Sequence, residues 1–132
     1  PMNFEDFTGQ LQHRLELAEQ GQAVRASRAI LTTLGEVTSP ETARDLADYL
    51  PMEIDRFILE ADSGQEFSYH EFVTRIAEYE HADAPDANYD AQLFVAYLAE
   101  FVPPRTMQEI REELPAEFDK LFEVADRQQG AE

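Results

Sequence analysis

The chain repeats itself. Residues 34–62 and 98–126 align without a gap at an offset of 64 positions, and ten of the 29 pairs are identical. Leu50-Pro51 faces Leu114-Pro115, Glu53 faces Glu117, Asp55 faces Asp119 and Asp62 faces Asp126. Other pairs keep their character: Leu46 with Ile110, Ile54 with Phe118, Arg56 with Lys120, Ile58 with Phe122. Upstream the match is weaker. Ile30-Leu31 faces Phe94-Val95, and a one-residue slip sets Phe7 and Leu11 against Phe72 and Ile76. A duplication of this kind dictates an architecture of two copies of one unit. It names no activity.

The unit is helical, because apolar residues recur at i, i+3 and i+4 throughout. Four helices are predicted in each copy. The first runs from about Phe4 to Leu17 behind Asn3 as N-cap, and its counterpart runs from Tyr69 to His81 behind a Ser68–Glu71 capping box. The second spans Ala23 to Val37, with Ile30, Leu31 and Leu34 inward; its counterpart spans Tyr89 to Val102. The third is short. Ser39 caps it and Pro40 takes the first helical position, whereas Pro103 replaces the serine in the second copy and leaves that start poorly capped. The fourth is expected to begin directly at Pro51 and Pro115, with Glu53 and Glu117 in the first turn where the helix dipole favours an anion. Segment 81–88, holding Pro85, reads as the longest loop, with Asn88 as the next N-cap. A short polar turn, Asp62 to Glu66, joins the copies. The resulting expectation is an all-α fold of about eight helices in two tandem, pseudo-symmetric repeats, 4–62 and 67–126, packed as one domain, with 127–132 as a tail.

At 43% hydrophobic with nine Phe, 132 residues can build a real core. Zero Cys removes disulfide, thiolate-metal and Cys-nucleophile chemistry. No apolar run approaches the roughly 18 residues of a membrane span, and no signal pattern opens the chain, so a cytoplasmic protein is expected. Pro1, ahead of Met2, reads as a cloning remnant.

Charge is the second constraint. Twenty-eight acids against ten basic residues give −18, and Lys120 is the sole lysine. The acids are scattered among periodic apolar residues, which points to a folded domain with an acidic surface rather than a disordered tail. Such a surface repels itself in dilute buffer, while molar salt shortens the Debye length to about 3 Å. An acidic, lysine-poor, folded chain suits a molar-salt cytoplasm. A GC-rich genome would also favour Arg over Lys, and an acidic mimic of nucleic acid is a third reading.

The opening Met2-Asn3-Phe4-Glu5-Asp6-Phe7, Ala23-Val24-Arg25-Ala26 leading into Thr33-Leu34-Gly35-Glu36, Leu50-Pro51-Met52-Glu53, and Leu114-Pro115-Ala116-Glu117-Phe118-Asp119 together form a pattern over nearly the whole chain. This pattern resembles the uncharacterised family known as domain of unknown function 2267. The resemblance implies a helical domain and carries no catalytic residue onto this sequence.

Residues shared by both copies are most simply explained by the fold, so positions where the copies part are better candidates for function. Arg25 and Arg28 lie three apart on one helix face, and their counterparts are Tyr89 and Gln92. They would grip a carboxylate or phosphate, or else pair with acids of the chain itself. Tyr89 and Tyr97 on the matching helix complete the candidate binding set. His70, Glu78 and His81 span too many residues for one ion and lack HExxH spacing; His13 stands alone. The acidic stretch His81 to Asp90 lacks the glycine of an EF-hand loop. Glu53/Glu117 and Asp55/Asp119 are duplicated at helix starts, which fits capping rather than catalysis. No metal, cofactor or catalytic residue is expected. Ten scattered cations leave no nucleic-acid footprint, and Arg56 or Lys120 alone does not make a recognition helix.

The expected function is therefore that of a non-enzymatic interaction module adapted to high salt. It would bind a protein partner or itself, with no direct nucleic acid and no membrane; the acidic mimic is the alternative.

Overall fold

Eight α-helices and one 3₁₀ helix form along residues 2–130, the part of the chain that the structure, a computed structural model, describes. They are α1 (Phe4–Arg14), α2 (Gln20–Val37), α3 (Pro40–Ala47), α4 (Asp55–Leu59), α5 (Tyr69–Glu80), α6 (Ala84–Leu98) and α7 (Pro104–Glu113), then the 3₁₀ helix (Ala116–Phe122) and α8 (Glu123–Gly130). No strand occurs among the described residues. Pro1 and the last two residues of the expected tail, 131–132, lie outside them. Residues 127–130 complete α8 with exposed side chains.

Local chemistry explains most of the boundaries. The Asp6 amide donates to Asn3 Oδ1 at 2.8 Å, and the Thr42 amide to Ser39 Oγ at 3.2 Å, so both predicted caps form. Pro103 precedes α7 and supplies no side-chain cap, as its chemistry requires. Ser68 accepts from the Glu71 amide, but the Glu71 carboxylate turns to Arg75 Nε at 2.8 Å, and that ion pair replaces the return bond of a capping box.

Four expectations need correction. Helix α1 stops at Arg14 rather than Leu17, because Glu16 adopts a left-handed φ of 55°. Helix α2 begins three residues early, where the Glu19 amide donates to Gln22 Oε1 at 3.0 Å. Segment 81–88 is mostly helix. Asp83, not Asn88, caps α6 by accepting from the Asp86 amide at 3.1 Å, and Pro85 falls in the first turn, where no donor is needed. Asn88 instead accepts a bond from the Tyr69 hydroxyl. Finally, Pro51 and Pro115 do not start α-helices. Glu53 takes φ 81° in a turn that delays α4 to Asp55, and the segment after Pro115 winds as a 3₁₀ helix before α8.

The two longest helices, α2 and α6, organise the core. Helix α2 packs on α1, α4, α5 and α6; helix α6 packs on α5, the 3₁₀ helix, α8 and α1. One continuous apolar cluster runs from Phe7 and Leu11 through Ile30, Leu34, Leu46 and Ile58 to Phe72, Phe94, Phe118 and Phe122. At Gly35 a Cβ would stand 2.6 Å from Ala61 Cβ and 2.8 Å from the Ile58 carbonyl oxygen, so glycine lets α2 and α4 approach closely. The fold brings the N-terminal half of α2 beside the turn between α5 and α6.

Candidate functional site

Helix α5 ends at Glu80, His81 reverses the chain in the left-handed conformation, and Asp83 starts α6. This tight turn places Asp86, Tyr89 and Asp90, at helical spacing, beside the end of α5. Gln22, Arg25 and Ala26 of α2 close the other side. Together with Leu17 and Ala82 they line a recess of about 310 Å³. Tyr89 is 55% exposed at this site.

Two electrostatic features define it. Arg25 is exposed and forms no ion pair among the described residues. Arg14 meets Glu100 at 2.7 Å, Arg75 meets Glu36 at 3.0 Å and Arg111 meets Asp126 at 2.9 Å, whereas Arg28, Arg44, Arg105 and Arg127 are, like Arg25, without an ion pair among the described residues. The second feature is the carboxyl group of Glu80. Both its oxygens are buried and neither accepts a hydrogen bond from a conventional donor. Its neighbour is the Asp90 carboxyl, and two carboxyl groups can bond only by sharing a proton. Burial, then the charge of Asp90 and the bond to it, pushes Glu80 up to about 8. Burial and the charge of Asp86 push Asp90 up to about 6. Near neutrality the pair therefore holds one proton, on Glu80, donated to Asp90. That proton serves one Glu80 oxygen and leaves the other without a donor.

The four residues singled out from sequence divide. Arg25 and Tyr89 come together in this recess. Arg28 is exposed and unpaired, but it lines a separate recess of about 360 Å³ with Thr32, Arg56, Phe57, Glu60 and Tyr79, so the two arginines do not grip one group together there. Tyr97 is a core residue, 1% exposed. Its hydroxyl donates to the Phe7 carbonyl at 3.0 Å, and its ring packs against Phe7 and Phe101. It has no surface with which to meet a partner. Helix periodicity alone does not separate the inward face of α6, which carries Tyr97, from the outward face, which carries Tyr89.

The sequence analysis does not find Glu80 and Asp90, because a cap at Asn88 places Asp90 in the first turn of a helix and leaves its position relative to Glu80 undefined. Asp83-Ala84-Pro85-Asp86 is itself a helix-start signal. A helix that starts there places Asp86 and Asp90 at helical spacing beside the end of α5.

A larger recess, about 770 Å³, lies where segments 37–39, 64–67 and 113–115 meet. Its carboxylate is already engaged. Glu113 accepts from the Ser39 amide at 2.7 Å, the Ser39 hydroxyl at 2.8 Å and the Thr42 hydroxyl at 2.7 Å, and so joins α7 to the start of α3. Among the described residues no group of three or more His, Asp or Glu side chains gathers as a metal site, and no helix is long and apolar enough to cross a membrane. No curated protein matches the chain. Residues 4–121 match the family described as an uncharacterized conserved protein, DUF2267.

Proposed function

We propose that this chain, which belongs to the DUF2267 family, is a non-enzymatic interaction module of a salt-rich cytoplasm. It binds a protein partner, or a second copy of itself, through the face bearing Arg25, Arg28 and Tyr89. In this reading the molecule is two tandem, pseudo-symmetric four-helix units, and the face lies where α2 of the first unit meets α6 of the second. One observation carries the proposal: the exposed, unpaired Arg25 and the exposed ring of Tyr89 line one recess, with the exposed, unpaired Arg28 about one turn further along α2. An unpaired guanidinium offers its fork of donors to a partner's carboxylate, and the half-exposed Tyr89 ring beside Arg25 adds an aromatic anchor of the kind enriched at interfaces.

Affinity capture at molar KCl tests this, with wild type beside Arg25→Ala/Arg28→Ala and Tyr89→Ala. Loss of a retained protein from the variants, with helical circular dichroism unchanged, supports the reading. Equal retention by all three baits removes this face from the site. The net charge of −18 favours a second reading, an acidic mimic that occupies nucleic-acid-binding sites of other proteins. Displacement of the captured partner by DNA would select it.

A further inference from the structure

We propose that the Glu80–Asp90 carboxyl pair is a proton-operated latch: the proton it shares holds the end of α5 against α6, and loss of that proton opens the turn between them, residues 81–86. This goes beyond the partner-binding reading and does not rest on it, since the purified chain alone would show it.

The first copy of the repeat manages the same corner without acids. The one-residue slip that sets Leu11 against Ile76 also sets Leu15 against Glu80, and the offset of 64 sets Ala26 against Asp90. Helices α1 and α5 end alike. The Leu17 amide donates to the Gln12 carbonyl at 2.9 Å and the Ala82 amide to the Ala77 carbonyl at 3.0 Å, with Glu16 at φ 55° and His81 at φ 56°. Yet Leu15 and Ala26 are core residues, 7% and 4% exposed, where the second copy carries two carboxyl groups. The local backbone accepts apolar residues there, so the acid pair breaks a rule that the fold does not oblige it to break. Departures of that kind gather at functional positions.

Both Glu80 oxygens are closed to solvent and accept no bond from a conventional donor. With the shared proton in place the two carboxyl groups attract. Without it, two negative charges face each other away from water. Nothing nearby offsets them. On the recess lining, Arg25 of α2 forms no ion pair with either group, Asp86 of α6 is a third acid, Tyr89 of α6 is exposed, and Leu17 beyond α1 brings no charge. Tyr79 and His81, which flank Glu80 along the chain, are exposed. An ionised Glu80 must therefore reach water. The turn can yield while the rest of α6 stays: His81 and residues 83–86 are exposed, whereas Ala87 is fully buried and Asn88 accepts from the Tyr69 hydroxyl. Asp90, pushed up to about 6, is already charged when Glu80, pushed up to about 8, loses its proton. The turn is thus closed below about 8 and opens as pH rises through it, taking Asp86 off the recess wall.

The test is NMR of the labelled, purified chain in molar KCl from about pH 6 to about pH 9. The Glu80 carboxyl carbon should titrate near 8. Across that step the hydrogen-exchange protection of the Ala82 and Asp86 amides, referred to the free-amide rate at each pH, should fall roughly tenfold or more. Protection at Leu17, in the first corner, and at Leu31 of α2 should hold. Glu80→Leu/Asp90→Ala, which installs the residues of the first copy, should keep the turn protected throughout. Glu80→Gln, isosteric with the protonated acid, should do the same and serves where the double variant does not fold. His81→Asn removes the imidazole from the turn and tolerates its left-handed backbone, so it should leave the pH response intact. Protection that holds while Glu80 titrates, a Glu80 already ionised near about pH 6, a fall in Glu80→Gln equal to that of wild type, an equal fall at Leu17 and Leu31, or a response abolished by His81→Asn overturns the proposal.

Discussion

Single atoms decide the outcome at Gly35. In an open helix position, alanine in place of glycine gains about 0.5–1 kcal/mol from the unfolded state's lost freedom. At Gly35 the added methyl would stand 2.8 Å from a backbone oxygen, which cannot swing aside as a flexible side chain would. Overpacking costs about 1–3 kcal/mol, so it wins. Gly35→Ala should lower the denaturant midpoint, whereas Gly21→Ala, in the same helix with nothing within 4 Å of its Cβ, should not. A rise in midpoint for both would mean that α4 yields to the methyl. Glu80 is a second residue whose stability effect has a definite sign. Its folded value, about 8, lies above the ordinary 4.5. The folded state therefore holds a proton that the unfolded state has released, and this contribution, complete below about 4.5, is lost as pH rises through about 8. Glu80→Gln imitates the protonated form. It should stabilise the protein by roughly 1–2 kcal/mol near pH 8, a figure reduced for partial solvent screening, and by little near pH 4. Thermal melts of both proteins across that range measure it.

Between elements, Glu113 does what no local rule anticipates. Ser39 and Pro40 announce the start of α3 in the sequence itself, because capping chemistry is confined to a few neighbouring residues. The carboxylate that accepts from the Ser39 amide and hydroxyl comes from α7, 74 positions away. Burial raises Glu113, but the bonds from Ser39 and Thr42 outweigh it and leave the group below the usual carboxylate range. Its stabilising effect is thus present above about 4.5 and disappears as pH falls through the depressed folded value. Glu113→Ala should cost roughly 1 kcal/mol near neutrality, since three donors lose a charged acceptor at a site that water partly screens. The cost should shrink in acid; a cost independent of pH would show that packing, not charge, is what the residue supplies. The same contrast marks the limits of reading this chain. Caps at Asn3, Ser39 and Ser68, the apolar stripes and the helical class were legible because each rests on short-range periodicity. The 3₁₀ winding after Pro115 and the left-handed Glu53 were not, because tertiary packing overrides propensity there. At the recess, Arg25 and Tyr89 stood out by departing from the repeat. Their neighbour Glu80 did not, since its significance lies in what α6 places opposite it.

Across the whole molecule, charge sets how strongly these local features can hold. Six acids pair with four arginines among the described residues, against 28 acids in the chain. Most of those pairs are exposed, and exposed pairs are worth about 0–1 kcal/mol each, so they do not offset a net charge of −18. Repulsion among the remaining carboxylates acts at separations of many ångströms, within reach at a Debye length of about 10 Å in 0.1 M salt and largely screened at about 3 Å in 1 M salt. Folding should therefore strengthen with KCl. The thermal midpoint is expected to rise by roughly 6–10 °C between those concentrations, corresponding to about 2 kcal/mol for a domain of this size. Excluded solutes also stabilise compact states without screening charge, so sucrose at matched osmolality is the necessary comparison. A midpoint that climbs with KCl and moves much less with sucrose assigns the effect to the carboxylates, and with it the salt-rich setting of the proposed function. A midpoint indifferent to KCl would show that the acidic surface is already tolerated in dilute buffer, and the salt-rich setting would lose its physical basis while the recess and its chemistry would stand.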